Sequence, residues 1–409
     1  MNTYITTFLT IAMCSACSVT LAQSLSLQQC QQLAMDNNLE LKASERKVER
    51  AKALQGTAWD IERTNLSLSQ DPTSGGSPDN AIALSQDIEF PTVYAARHRQ
   101  MKAETRAEES LRNVTRLQIM NDIAAVYWQL VYCRERMDII SKQDSILQRY
   151  ASLAMKRYKA GEARQLEQLT ANRMMRENAL ELDAAKVDYS ICQRQLATLV
   201  GTGDDIVPAD TKLCPVEYQP RSYVYAATAE GELAYDRLTV ADKALGVAKS
   251  GYAPSLSLTL KNQLVIGGWD PYHENRARYA GGNFMGFEVG IGIPLFYGAT
   301  KAKVKAARKE REIAEMDMHR QQLARQNDYD AALARYTSAL NRMQYYERQG
   351  AADAAETARL GTLEYENGEI SYIEYVNALQ ESIDTQLKRA AAINDYNQTV
   401  VALKRIAGE

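Results

Sequence analysis

Proline is missing from two long stretches of this chain, residues 92–207 and 295–409, although nine prolines occur elsewhere. A proline inside a helix costs about 3 kcal/mol, and both stretches are rich in Ala, Leu, Glu, Gln, Arg and Lys, which favour helices. Each stretch is therefore predicted to form very long α-helices. The first of them, from Thr92 to Arg157, would be about 100 Å long, which is more than a globular domain accommodates.

The apolar residues of this first helix repeat every seven positions, from Ile119 to Ala154, as in a coiled coil. A second helix carries apolar residues between Leu182 and Leu199 at alternating spacings of three and four. The two helices are predicted to form an antiparallel hairpin that turns near Gly161, because glycine allows a helix to end.

Two cysteines lie at comparable distances from this turn. Cys133 and Cys192 are 28 and 31 residues from Gly161, so they should face each other at nearly the same height of the hairpin. In an oxidising compartment such a pair can form a disulfide. Two buried free thiols are the alternative, and the spacing does not decide between them.

The sequence repeats itself once, in segments that keep their order. The matching segments are 40–68 with 232–260, DIEFPTVYAAR around Pro91 with GIGIPLFYGAT around Pro294, and YKAGEARQLEQLTA from Tyr158 with YENGEISYIEYVNA from Tyr365. We therefore predict a first structural repeat over residues 23–207, a linker over 208–227 and a second repeat over 228–409. Each repeat has the predicted order helix, strand pair, long helix, tight turn and helix.

The chain begins MNTYITTFLTIAMCSACSVTLAQS, a short apolar run that ends in small residues. This pattern is typical of a secretory signal peptide, here over residues 1–22 with cleavage near Gln23, although the usual Lys or Arg is absent. Lipidation at Cys17 is the alternative at this end. In either case the chain is expected to leave the cytoplasm.

The predicted strands alternate apolar and polar residues, so that each has one apolar face. In the second repeat, Leu256, Leu258 and Leu260 lie on one face, while Ser257 and Thr259 lie on the other. A transmembrane β-barrel needs this arrangement, with lipid outside and water inside. A sheet packed on a soluble core gives the same alternation, but four strands among helices leave two sheet edges and no second layer. Three chains together would supply twelve strands and close a barrel.

The composition argues against several classes of function. The chain has 48 basic and 51 acidic residues and a formal net charge of −3, without the basic patch that nucleic-acid binding requires. No Ser-His-Asp order, catalytic pair of carboxylates or phosphate-binding loop is found, and the three histidines are scattered. The sequence therefore predicts no enzyme, no metal site and no cofactor.

Three features of the sequence resemble the TolC-like outer-membrane efflux family: the segment SLSLQQCQQLAMDNNLELKASERKVERAKA, the two strands that end at a proline, and the YKAGE and YENGE turns. The segment LSQDIEFPTVYAAR is most similar to the heavy-metal efflux branch of CzcC and CusC. The resemblance implies a mostly α fold with a small β part. Long antiparallel coiled-coil helices would form a periplasmic tunnel, and four transmembrane strands per chain would close a 12-stranded barrel only as a homotrimer. It also implies the outer membrane of a Gram-negative bacterium, with lipid around the barrel.

The resemblance further assigns roles to individual residues of this chain. Docking of a periplasmic adaptor protein is implied at the hairpin tips: Gly161, Glu162 and Ala163 in the first repeat, and Gly368, Glu369 and Ile370 in the second. An acidic aperture just inside the tips is implied at Glu167 and Glu374, with Asn377 where a second acid is often found. The junction between barrel and tunnel is implied at Phe90, Pro91, Pro294 and Phe296.

The function implied is passive conduction. An inner-membrane pump of the RND type would supply the energy, the adaptor would bridge the pump and the channel, and the substrate would leave the cell. A secreted coiled-coil tether has the same helices and tips, but it would be soluble without detergent. A channel for protein secretion differs only in its cargo, which the sequence does not identify.

Overall fold

The computed structural model describes residues 24–71, 79–265 and 283–409. The elements up to residue 208 are β1 (Ser24–Leu25), α1 (Leu27–Asn37), α2 (Leu39–Leu54), β2 (Asn65–Asp71), β3 (Asp79–Glu89), α3 (Pro91–Lys159), α4 (Gln165–Val200) and β4 (Val207–Pro208). The elements after residue 208 are α5 (Ala229–Ser250), β5 (Ser255–Val265), β6 (Asn283–Gly292), α6 (Gly298–Tyr345), α7 (Ala351–Glu366) and α8 (Tyr372–Ala407). The predicted signal peptide, with Cys17, lies outside the described residues.

Residues that are close in space form two compact units, and each unit takes segments from both predicted repeats. The helical unit contains the described residues up to Lys42 together with Thr115–Tyr223 and Gln326–Glu409. The sheet unit contains Ala43–Val114 and Val224–Arg325. The boundaries 23–207, 208–227 and 228–409 refer to the duplication of the sequence, and they stay a prediction.

The two proline-free stretches form long helices, as predicted. α3 has 69 residues and begins at Pro91, a position where the missing N–H of proline costs no hydrogen bond. It is uninterrupted, whereas the corresponding helix of the second repeat passes through a π turn at Tyr346–Gly350, between α6 and α7. Among the described residues, no helix is long and apolar enough to span a membrane.

The predicted coiled-coil contact of α3 and α4 is confirmed in the helical unit. Ile123, Leu130 and Ile140 of α3 and Leu196 of α4 are fully buried. Most of this contact belongs to a common core that also contains Ile393 of α8. The seven-residue repeat thus places the apolar side of α3 against its neighbouring helices.

The sheet unit contains a four-stranded antiparallel sheet in the order β2-β3-β5-β6. One row of paired positions crosses all four strands with apolar side chains: Leu66, Leu84, Leu260 and Phe287. The neighbouring row, on the opposite face, is polar: Ser85, Thr259 and Glu288. The predicted alternation is therefore confirmed. Phe287 is 79 % exposed, and β2 and β6 are the sheet edges within one chain.

The linker between the repeats is bound through its backbone in the helical unit. The hydroxyls of Tyr329, Tyr336 and Tyr396 donate hydrogen bonds to the carbonyl oxygens of Arg221, Tyr218 and Val216 at 2.6, 3.1 and 3.0 Å. The fully buried Asn397 donates to the carbonyl of Cys214 at 3.0 Å and accepts from the backbone N–H of Val216 at 2.9 Å. These bonds hold residues 214–221, which belong to neither a helix nor a strand.

Candidate functional site

The two hairpin turns have the same backbone geometry. Gly161 and Gly368 both have φ of 75°, in the left-handed region that favours glycine. The N–H of the residue after each glycine reaches back to the last turn of the helix: Glu162 donates to the carbonyl of Arg157 at 2.9 Å, and Glu369 donates to that of Glu364 at 2.8 Å. The first hairpin (α3–α4) therefore turns where the sequence predicts, and the second hairpin (α7–α8) turns in the same way.

The residues proposed for docking lie at these turns and are accessible. Gly161, Glu162, Gly368 and Glu369 are exposed, and Ala163 and Ile370 are half-buried. A Cβ atom at either glycine would meet no neighbour, so the positive φ rather than lack of space explains the glycine. The role of these six residues in docking stays a prediction.

Glu374 caps the N-terminus of α8. Its carboxylate accepts a hydrogen bond from the backbone N–H of Ser371 at 2.7 Å, and the Ser371 hydroxyl accepts one from the N–H of Glu374 at 3.3 Å. The hydrogen bond from Ser371 lowers the pKa of Glu374 below its usual value. The capping bond is therefore present while the carboxylate is ionised, and it is lost as the pH falls through that lowered pKa. The S-x-x-E pattern is visible in the sequence and would have predicted this cap.

Glu167, the equivalent acid of the first hairpin, has a different environment. Arg164 occupies the N-cap of α4 and makes no side-chain capping bond. Glu167 is half-buried and forms an ion pair with Arg157 at 3.6 Å. Asn377 is exposed on α8. The two acids predicted to line an aperture are thus not interchangeable within one chain, and their aperture role stays a prediction.

A cluster of four tyrosines lies beside the second turn and was not among the predicted site residues. Tyr365 of α7 stacks on Tyr375 of α8 with ring centroids 4.8 Å apart. The ring centroids of Tyr372 and of Tyr150 of α3 are 4.9 Å apart, so the cluster joins the two hairpins. Burial raises the pKa of Tyr372 to about 12, because the packed rings keep water from its hydroxyl. The tyrosine-rich segment YENGEISYIEY was the available signal.

The predicted junction residues lie where strand leads to helix in the sheet unit. Pro91 begins α3 two residues after β3 ends, and Pro294 follows β6 by two residues, four before α6 begins. Phe90 is partly exposed, and Phe296 is 94 % exposed. Aromatic side chains at such positions are typical of a membrane–water interface.

The structure brings Cys133 and Cys192 together. Their Sγ atoms are 3.7 Å apart, and both side chains are buried free thiols. The predicted facing of the two cysteines is therefore confirmed, while a bond between them stays a prediction. Across the described parts of the chain, no group of three or more His, Cys, Asp or Glu side chains could hold a metal ion.

Comparison with known proteins finds a family model for the C-terminal part of the chain and several solved structures with a similar fold. Residues 234–409 match the family model of the outer membrane efflux protein. A search among curated protein sequences finds no match. Among solved structures, CusC is 16 % identical with a TM-score of 0.76, covering 95 % of this chain and 96 % of CusC. A membrane protein from Pseudomonas aeruginosa is 17 % identical with a TM-score of 0.78, covering 93 % of each chain. The CmeC outer membrane channel of Campylobacter jejuni is 19 % identical with a TM-score of 0.73, covering 93 % of this chain and 85 % of CmeC.

The match assigns residues 234–409 to the outer membrane efflux protein family. The fold of long helices and a four-stranded sheet is shared with the solved structures of CusC and the CmeC outer membrane channel. CusC is one of several structures with similar scores, so the assignment to the heavy-metal branch stays a prediction.

Proposed function

We propose that three copies of this chain form an outer-membrane channel that passively conducts substrates from a periplasmic adaptor and an inner-membrane pump of the RND type to the outside. One observation carries the proposal. A four-stranded sheet with an apolar row across every strand has open edges at β2 and β6 within one chain. Pairing β6 of one copy with β2 of the next removes these edges and surrounds the barrel with apolar side chains.

The hairpin tips support the part of the proposal that concerns an adaptor. Both turns present a glycine in the left-handed conformation followed by an exposed glutamate. Two similar turns per chain would give six in a trimer, a ring on which helical hairpins of an adaptor can pack. The substrate class stays open, because a passive tunnel need not recognise its cargo.

We expect the mature protein to fractionate with outer membranes and to require detergent for extraction. The native particle, measured by light scattering or native mass spectrometry, should have the mass of three chains. A soluble monomer would contradict the shared barrel and would favour the secreted tether. A detergent-dependent trimer that exports a protein substrate would favour the secretion channel instead.

The aperture role of Glu374 can be separated from its capping role. We expect Glu374→Lys to raise the sensitivity of cells to large antibiotics such as vancomycin, because three lysines would replace three acids around the closed tips. The matched control is Ser371→Ala, which removes the cap at a cost of about 1 kcal/mol but keeps the carboxylate. Equal sensitisation by both variants, at equal trimer levels, would assign the effect to fraying of α8 and would contradict the aperture role.

A further inference from the structure

One pair of side chains in the helical unit is not used by the proposed function. Cys133 of α3 and Cys192 of α4 are 4 % and 7 % exposed, and their Sγ atoms are in contact at 3.7 Å. The two residues are 59 positions apart in the sequence, so their meeting depends on the folded hairpin. We propose that a disulfide joins Cys133 to Cys192 in the mature protein and fastens the first hairpin.

The geometry requires only a small adjustment. A disulfide has an S–S distance of about 2.05 Å, so the sulfur atoms must approach by about 1.7 Å. Both cysteines belong to the same core cluster, and the neighbouring polar contact is Gln129, whose amide lies 3.7 Å from the Cys133 sulfur. No charged side chain has to be displaced from between the two sulfur atoms, since they already touch.

The chemistry is thiol–disulfide exchange during export. One cysteine, as its thiolate, attacks a donor disulfide of a periplasmic oxidoreductase and forms a mixed disulfide. The second thiolate then displaces the donor sulfur, so that the Cys133–Cys192 bond forms and the donor leaves as a dithiol. Both thiol protons and two electrons pass from the cysteines to the donor. In the folded hairpin the contact with Cys133, together with burial, raises the pKa of the Cys192 thiol and so disfavours its thiolate. Because the thiolate is the reactive form, we place the exchange before the two cysteines become buried.

The bond would act on one hairpin only. The second repeat, residues 228–409, contains no cysteine, and its long helix is interrupted by the π turn at Tyr346–Gly350. The first hairpin would therefore be covalently fastened 28 to 31 residues from its turn, while the second hairpin has no such bond. The remaining described cysteines serve as internal controls: Cys30 is buried and Cys214 is exposed.

The first test is peptide mapping of the full-length protein extracted from outer membranes. The protein is denatured, its free thiols are alkylated without reductant, and it is digested. We expect a linked peptide pair containing Cys133 and Cys192, lighter by two hydrogens than the free thiols, and alkylation at Cys214. Alkylation of both Cys133 and Cys192, or a link from either to Cys30 or Cys214, would overturn the proposal.

A second test uses thermal unfolding of the trimer in detergent. A bond between residues 59 positions apart restricts the unfolded chain and should raise the Tm. We therefore expect dithiothreitol, which reduces the bond, to lower the Tm of the wild type by about 5 °C. Cys133→Ser, Cys192→Ser and the double variant should unfold near the temperature of the reduced wild type and should not respond to dithiothreitol. Cys214→Ser is the matched control and should keep the full response. A wild-type Tm that does not change on reduction would contradict the bond.

Discussion

Replacement of Phe287 by arginine should prevent the protein from accumulating as a trimer in the outer membrane. Phe287 lies in the apolar row that crosses all four strands, and its side chain is exposed in the single chain. An arginine on the lipid-facing side of a barrel costs about 2–4 kcal/mol near the midplane, so three copies would lose on the order of 10 kcal/mol. The measurement is the amount of trimer in purified outer membranes.

The matched control is the next residue of the same strand. Glu288 lies on the opposite face, paired with Thr259, where the barrel interior is expected. Glu288→Arg introduces the same side chain one position away, and it should leave the amount of trimer close to that of the wild type. Leu84→Arg, in the same apolar row but in the first repeat, should reproduce the defect. Similar levels of Phe287→Arg and Glu288→Arg trimer would contradict the assignment of the Phe287 face to lipid and the Glu288 face to the barrel interior.

Replacement of Asn397 by leucine should destabilise the helical unit by about 3 kcal/mol. Leucine is branched at Cγ like asparagine but is larger and has no polar atoms, so the carbonyl of Cys214 and the N–H of Val216 both lose their partner. A buried backbone group without a partner costs about 1–3 kcal/mol. Thermal unfolding of the detergent-solubilised trimer should show a Tm lower by about 3 °C.

Tyr396→Phe is the control for this variant. It removes a single hydrogen bond, from the hydroxyl to the carbonyl of Val216, and retains the ring that packs near Tyr336. We expect a loss of about 1 kcal/mol. If Tyr396→Phe lowers the Tm as much as Asn397→Leu does, the polar bonds of Asn397 do not account for its effect.

The parts of the fold that the sequence predicted depend on local rules. The absence of proline and the seven-residue repeat predicted a helix from Thr92 to Arg157, and α3 runs from Pro91 to Lys159. Alternation at period two predicted the strands, because each side chain of a strand points to one of two faces. The turn at Gly161 followed from the need for a left-handed residue at the end of a helix.

The parts that were missed depend on long-range contacts or on one extra residue. The hydroxyl of Tyr396 meets the carbonyl of Val216 across 180 positions, which no periodic pattern reveals. The π turn at Tyr346–Gly350 lies within the proline-free stretch 295–409, where the absence of proline predicts helix but not its type. The cap of Ser371 and Glu374 follows from the local S-x-x-E pattern, which the prediction of an acidic aperture at Glu374 did not use.

The tyrosines that bind the linker donate hydrogen bonds to its backbone carbonyls and not to its side chains. The carbonyls of Val216, Tyr218 and Arg221 accept their hydrogen bonds whatever side chains those residues carry. A change at an exposed position such as Arg221 therefore leaves the bonds in place. One residue inserted between Val216 and Tyr218 would move a carbonyl away from its hydroxyl. The length of the connection between the two repeats is thus under stricter physical control than its composition.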